Sequence, residues 1–145
     1  MTATKGESGE GRLGYEISVD HDAEMIEVHF YGRSNPQEAI EARLNASLLA
    51  RDYGIRRVLV GARRLEGIDG ASPQMLYSYA ATFQDKPFPA GTKFAVVPSQ
   101  INESMRMVCR IARETGTRIH IFDDARPALE WLFGQIATAE LQLPA

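Results

Sequence analysis

Short apolar segments with strand-like alternation take turns with longer helical segments along most of this chain, and this order constrains its fold more than any other feature. Two strand segments come first, at residues 15–19 and 25–31, and the polar segment 20–24 joins them as a hairpin loop would. From the second strand onward, each strand segment is followed by a helical one. This order requires crossover connections, so the later strands are expected to be parallel and the opening hairpin makes the sheet mixed. The sequence therefore predicts an α/β fold with a mixed, mainly parallel five-stranded sheet and four helices. The other strands are predicted at 57–60, 94–97 and 118–122, and the helices at about 36–53, 73–83, 102–115 and 124–136.

The ends of two predicted helices are marked by capping residues. Asn35 followed by Pro36 combines a good N-cap with a proline at the first helical position. Ser72 followed by Pro73 repeats this start for the next helix. Gly54 is placed where the first helix needs a left-handed residue beyond its C-terminus. These signals support the helical assignments.

The chain has the size of one domain. Its 145 residues weigh 16.1 kDa, and a second independent core would leave each half only about 70 residues. Residues 1–14 are rich in Gly, Ser and Glu, so they are predicted to form a disordered leader. Residues 15–137 are predicted to form a single α/β domain, with residues 138–145 as a tail.

Charge and composition exclude several classes of protein. Sixteen basic and nineteen acidic residues give a net charge of −3, which argues against a dedicated nucleic-acid binder. No segment approaches the roughly 18 apolar residues of a membrane span, and the N-terminal residues have no apolar secretion signal. A cytoplasmic location is therefore expected.

No catalytic or metal-binding signature emerges from the residue spacing. Cys109 is the single cysteine, and none of the three histidines lies within zinc-ligand spacing of another histidine or of that cysteine. The GxGxxG pattern of residues 9–14 precedes the first strand, whereas a dinucleotide site must follow one. The prediction is therefore a protein that is not an enzyme and has no cofactor.

Three landmarks carry a resemblance to a known family. They are Phe30-Tyr31-Gly32, the run Arg56–Val60 followed by Arg63-Arg64-Leu65, and Phe122-Asp123-Asp124 leading into Ala128-Leu129-Glu130-Trp131-Leu132. With the order of elements, these residues resemble the STAS-like, anti-sigma-factor-antagonist (SpoIIAA-like) superfamily over about residues 15 to 133. The last landmark is similar to the closing helix of its bacterial, SEC14-related group. The resemblance implies a regulatory domain that binds a protein partner or a small ligand.

The sequence departs from the antagonists at the site where they are phosphorylated. Those proteins carry Asp-Ser-(Ser/Thr)-Gly, and this chain has Asp69, Gly70 and Ala71, with Ser72 further on. Two alternatives stay open under the resemblance: an anti-sigma-factor antagonist phosphorylated at Ser72, or a carrier of an apolar ligand. Because the segment 61–71 is predicted to link a strand to a helix N-terminus, Asp69, Gly70 and Ser72 are also a candidate ligand loop.

Two predicted helical faces are candidate contact surfaces. Arg106, Arg110 and Arg113 share one stripe, either as a solvated face or as a site for an acidic partner. Arg56 and Arg57 are expected at one end of a strand and Arg63 and Arg64 at the other, about 20 Å apart, so both pairs are predicted to be solvated.

The helix predicted at 36–53 carries two apolar stripes, although one stripe is enough to pack on a sheet. The first contains Ile40, Leu44 and Leu48. The second, which includes Ala42, Ala46, Leu49 and Tyr53, is a candidate homodimer face, unless the helix is wedged between the sheet and a neighbouring helix.

Overall fold

A computed structural model of the protein describes residues 2–5, 14–33, 36–66, 88–98, 103–138 and 141. Six strands and three helices lie in these ranges. The strands are β1 (Thr2–Lys5), β2 (Gly14–Asp20), β3 (Met25–Arg33), β4 (Arg57–Glu66), β5 (Lys93–Pro98) and β6 (Arg118–Ile121). The helices are α1 (Pro36–Tyr53), α2 (Glu103–Glu114) and α3 (Ala125–Leu132).

All six strands form one sheet in which the spatial order follows the chain order. The pairs β1–β2 and β2–β3 are antiparallel, and the pairs from β3 to β6 are parallel. The mixed, mainly parallel sheet predicted from the sequence is therefore present. The hairpin between β2 and β3 makes that pair antiparallel, and the crossover connections after β3 make the later pairs parallel.

The predicted number of strands was too low by one. Thr2–Lys5 pairs with β2, although the predicted leader of residues 1–14 had been assigned no structure. The outer edge of β2 offers unpaired backbone amides and carbonyls, which can pair with an extended segment of almost any composition. Composition alone therefore gave no signal for β1.

Three of the four predicted helices are present among the described residues. The helix predicted at 73–83 lies outside these ranges. α1 begins at Pro36 as predicted, and Gly54 beyond its end has φ +66°. α3 begins after Asp124, whose carboxylate accepts a hydrogen bond from the amide of Ala125 at 2.7 Å. The capping signals thus identified both ends of α1 correctly.

One face of the sheet packs against α1 and α2. The face of α1 toward the sheet consists of small residues, and Asn45 Nδ2 donates to the Tyr15 hydroxyl at 2.9 Å, which fixes the helix against β2. Small side chains allow the helix backbone to approach the sheet closely. The buried alanines of this contact are Ala39, Ala42, Ala46 and Ala50, with Ala112 from α2.

The opposite face packs against α3. Trp131 is fully buried at its centre, with its ring 5.7 Å from the ring of Phe122, centroid to centroid. The indole Nε1 donates to Thr138 Oγ1 at 3.0 Å, and Leu141 packs against the same cluster. Two residues of the predicted tail 138–145 therefore belong to the packed domain.

Candidate functional site

The first residues of the predicted ligand loop belong to a strand. Residues 61–66 belong to β4, which stays paired with the nine-residue β3 beyond a register shift between His29 and Tyr31. The strand prediction ended at Val60 because the following Gly and Arg residues carry no apolar pattern, but backbone pairing with β3 does not depend on one. Asp69, Gly70 and Ser72 lie outside the described residues.

The arginine stripe on α2 is only partly a solvated face. Arg106 and Arg110 are exposed. Arg113 is half-buried, and its Nη1 donates to the carbonyl of Ile119 in β6 at 3.2 Å. Arg113 therefore helps to hold α2 on the sheet, and a partner would meet mainly the other two arginines.

The candidate dimer face on α1 was assigned to the wrong side of the helix. Ala42 and Ala46 are 0% and 1% exposed, and Leu49 packs against the same core. Tyr53 is exposed, with its ring in edge contact with His21 at 4.7 Å. The alanines face the sheet because only small residues fit a close helix–sheet contact, a requirement that hydrophobicity alone does not reveal.

The other apolar stripe of α1 faces outward. Leu44 and Leu48 are 41% and 45% exposed, and Ile40 is half-buried. Glu41 lies three residues before Leu44, and Arg51 lies three residues after Leu48. The order of side chains along this face of the helix is therefore acid, leucine, leucine, base. We call Ile40, Leu44 and Leu48 the outer stripe.

A second candidate site is a cavity of about 390 Å³ where β4 and β5 begin and α3 ends. Three of the residues that line it are cationic, and one is acidic. We call this site the basic cavity. It is lined by Glu24, Gly54, Arg56, Arg57, Gly91, Lys93, Leu132, Phe133 and Gly134.

Arg57 joins the wall of the basic cavity to the end of α3. Its Nε donates to the carbonyl of Leu132 at 3.3 Å, and its Nη1 donates to the carbonyl of Ala23 at 3.1 Å. Its guanidinium carbon lies 4.6 Å from the centroid of the Phe133 ring. The prediction that Arg57 is simply solvated was therefore wrong.

Lys93 makes the equivalent contact from the next strand. Its Nζ donates to the carbonyl of Trp131 at 3.0 Å and lies 5.0 Å from the centroid of the indole ring. Partial burial lowers the pKa of Lys93, and the positive charges of Arg118 and Arg57 lower it further. The site therefore concentrates positive charge.

The cations of this region share a register position in the sheet. Arg57 is paired with Lys93, and Lys93 with Arg118, so each parallel strand from β4 to β6 begins with a base. α3 has no basic residue in its own last turn, and its carbonyls accept from the strands instead. A basic residue at the start of three successive strands is a signal that the sequence contained and that sequence reasoning missed.

His120 of β6 is buried next to this region. It is 5% exposed, and its ring is in edge contact with Trp131 at 4.9 Å. Its Nδ1 has no hydrogen-bond partner among the described residues. Burial, together with the charges of Arg113, Arg118 and Lys93, lowers the pKa of His120 to about 4. The imidazole is therefore neutral at physiological pH, and α3 covers the face of the sheet on which it lies.

Comparison with known proteins shows which known fold this structure resembles. No protein-family model matches the sequence, and no curated protein matches it. A similar solved structure is that of an uncharacterized protein of the DUF3478 family with a SpoIIAA-like fold, from Shewanella loihica. It aligns with a TM-score of 0.52 at 18% identity, over 88% of this chain and 99% of that chain. This chain has a SpoIIAA-like fold.

The STAS-like resemblance inferred from the sequence landmarks is thus confirmed at the level of the fold. At this identity the similarity carries no information about partner or ligand. Within its described ranges the SpoIIAA-like domain has no helix that is both long and apolar enough to cross a membrane.

Proposed function

We propose that this SpoIIAA-like domain is a non-enzymatic regulatory module that acts through protein contacts, and that the outer stripe of α1 pairs with the same stripe of a second copy. The observation that carries the proposal is the exposure of Leu44 and Leu48 on a helix whose opposite face is already fully packed. Covering these leucines removes apolar surface from water, which favours association.

The charges beside the leucines select the orientation of the second copy. Glu41, Leu44, Leu48 and Arg51 are spaced three, four and three residues apart, which places them on one helical face. In an antiparallel pair centred at the level of Ala46, Leu44 faces Leu48 of the other copy and Glu41 faces Arg51. A parallel pair would instead place like charges together. A twofold contact of this kind is self-complementary, as dimers require.

The expected contact is weak. Specific, stable interfaces bury roughly 1,200–2,000 Å² in total, and a single helix face is at the small end of this range. The dimer should therefore dissociate on dilution, which suits a contact that a regulatory partner can replace.

Sedimentation equilibrium over a dilution series tests this proposal. We expect a monomer–dimer equilibrium for the native chain and a monomer for Leu48→Glu. Glu41→Lys and Arg51→Glu should each weaken the dimer, and the double variant should restore it because the pair is then reversed. The matched control is Glu103→Lys on α2, which should leave the equilibrium unchanged. A native chain that stays monomeric at every concentration contradicts the proposal, and a double variant that stays monomeric contradicts the antiparallel arrangement.

The two alternatives from the family resemblance depend on other observations. Regulation by phosphorylation at Ser72 rests on a residue outside the described ranges, and it requires phosphate on that serine in protein purified from the native cell. An apolar-ligand carrier requires co-purified lipid. The cationic lining of the basic cavity favours a polar ligand there over an apolar one.

A further inference from the structure

We propose that the basic cavity binds the phosphoryl group of a small phosphorylated molecule. This site is separate from the outer stripe of α1 and does not depend on dimerisation. The proposal stands on the charge of the cavity, on hydrogen-bond donors that the fold does not consume, and on the shape of its walls.

The charge of the lining matches a phosphate monoester. Arg56, Arg57 and Lys93 contribute three positive charges, and Glu24 contributes one negative charge, so the lining carries a formal excess of two. A phosphate monoester carries about −1.5 to −2 at pH 7, whereas a carboxylate carries only −1. Arg118, in register with Lys93, adds to the positive potential from outside the lining.

Holding α3 in place does not require all of this charge. Arg57 and Lys93 contact α3 through one hydrogen bond each, from Arg57 Nε and Lys93 Nζ. A guanidinium has five N–H donors and an ammonium has three, so each group can still donate to a ligand. Among the described residues, none of the side-chain hydrogen bonds to α3 comes from Arg56.

The repulsion between the cations also supports an anion-binding site. The pKa of Lys93 is lowered partly by Arg118 and Arg57, which means that its charged form is opposed by its neighbours. An anion bound between the cations would relieve this opposition.

The walls leave room for the organic part of such a ligand. Gly54, Gly91 and Gly134 line the cavity, and a Cβ atom added to any of them would meet nothing within 4 Å. The exposed ring of Phe133 forms an apolar side. The volume of about 390 Å³ lies within the usual range of small-molecule sites. The site therefore fits a phosphorylated organic molecule better than a bare ion.

The test is a titration of the purified chain with inorganic phosphate and with glycerol 3-phosphate, at constant ionic strength held with sodium chloride. The readout is the amide NMR signals of Gly54, Gly91 and Gly134. We expect saturable shifts of these three signals. Arg56→Gln should weaken binding about tenfold, because it removes a charged donor that does not hold α3. Glu24→Gln should tighten binding.

The controls separate this site from the fold and from the dimer. Arg106→Gln removes a positive charge from α2 and should leave binding unchanged, as should Leu48→Glu on the outer stripe. Arg57 and Lys93 are not the primary variants because both hold α3. A second arm uses phosphatidylcholine vesicles with and without phosphatidic acid.

Each outcome decides the question. Saturable binding of the soluble phosphates that is weakened by Arg56→Gln supports the site and assigns it to a soluble ligand. Binding to the phosphatidic acid vesicles alone, with the same dependence on Arg56, supports a phosphoryl site and assigns it to a lipid headgroup. Failure of both arms, or binding that Arg106→Gln weakens as much as Arg56→Gln does, overturns the proposal.

Discussion

At the scale of single residues, His120 is the clearest case of a side chain whose chemistry is set by its surroundings. The α3 helix covers it, and three cations surround it from α2, β5 and β6: Arg113, Lys93 and Arg118. Neither desolvation nor these charges favour a proton on the ring. The folded protein therefore keeps the imidazole neutral, and its Nδ1 is buried without a hydrogen-bond partner among the described residues.

His120 should make the protein less stable as the pH falls. The pKa is about 4 in the folded protein and 6.5 as the reference value for the unfolded chain, so the unfolded state binds more protons between these values. Stability should fall as the pH is lowered from about 6.5 to about 4, by up to about 3 kcal/mol from this group. Urea unfolding across this range should show a flatter dependence for His120→Phe, whose ring can still pack beside Trp131.

The exposed histidines provide the control for this experiment. His21→Gln should retain the full pH dependence of the native chain, because His21 is exposed. If His120→Phe and the native chain lose the same stability over this range, then His120 is not the source of the effect.

At the scale of elements, α1 shows how similar hydrophobicity can serve two different purposes. Its alanines are fully buried against the sheet, and its leucines Leu44 and Leu48 are exposed. Larger apolar residues are usually the more buried ones. Here the close approach of helix and sheet reverses that order, because there is no room for larger side chains.

The two faces of α1 should therefore respond oppositely to substitution. Ala46→Leu adds three carbon atoms to a packed contact and should cost about 1–3 kcal/mol of unfolding free energy. Leu48→Ala, on the outer stripe, should change it by no more than about 0.5 kcal/mol. Denaturant unfolding at a concentration where the native chain is monomeric measures both. A tolerated Ala46→Leu would mean that this helix face is not closely packed.

At the scale of the whole molecule, the strands of the sheet differ in how many neighbouring strands and helices contact them. The central strands β4 and β5 have a strand on each side and helices on both faces. Among the described residues, β1 is at the edge of the sheet and pairs only with β2. Local opening needs the least free energy where the fewest contacts are lost.

Native-state hydrogen exchange should follow this arrangement. We expect the amides of Val58, Leu59 and Ala95 to exchange slowest, near the rate set by global unfolding, and the amides of β1 to exchange many-fold faster. The measurement needs no variant. Equal protection of β1 and β4 would show that the edge strand is part of the cooperative unit.

The sequence by itself determined the elements and their connection. Alternation of period two and helical spacing located the five strands and three of the helices now described, while Pro36 and Gly54 marked the ends of α1. These signals are local, because a helix cap or a strand pattern depends on residues a few positions apart. The parallel arrangement followed from the crossovers alone.

The tertiary structure decided which surfaces are buried and which residues meet. The row of Arg57, Lys93 and Arg118 spans 61 positions of the chain and becomes a cluster only through strand register. The buried face of α1 depends on how closely the helix approaches the sheet, and the burial of His120 depends on α3 lying across β5. β1 forms because β2 has a free edge, which is a property of backbone groups and leaves no pattern in side chains. These contacts join residues that are far apart along the chain, so the pattern within one strand or helix does not show which residues meet.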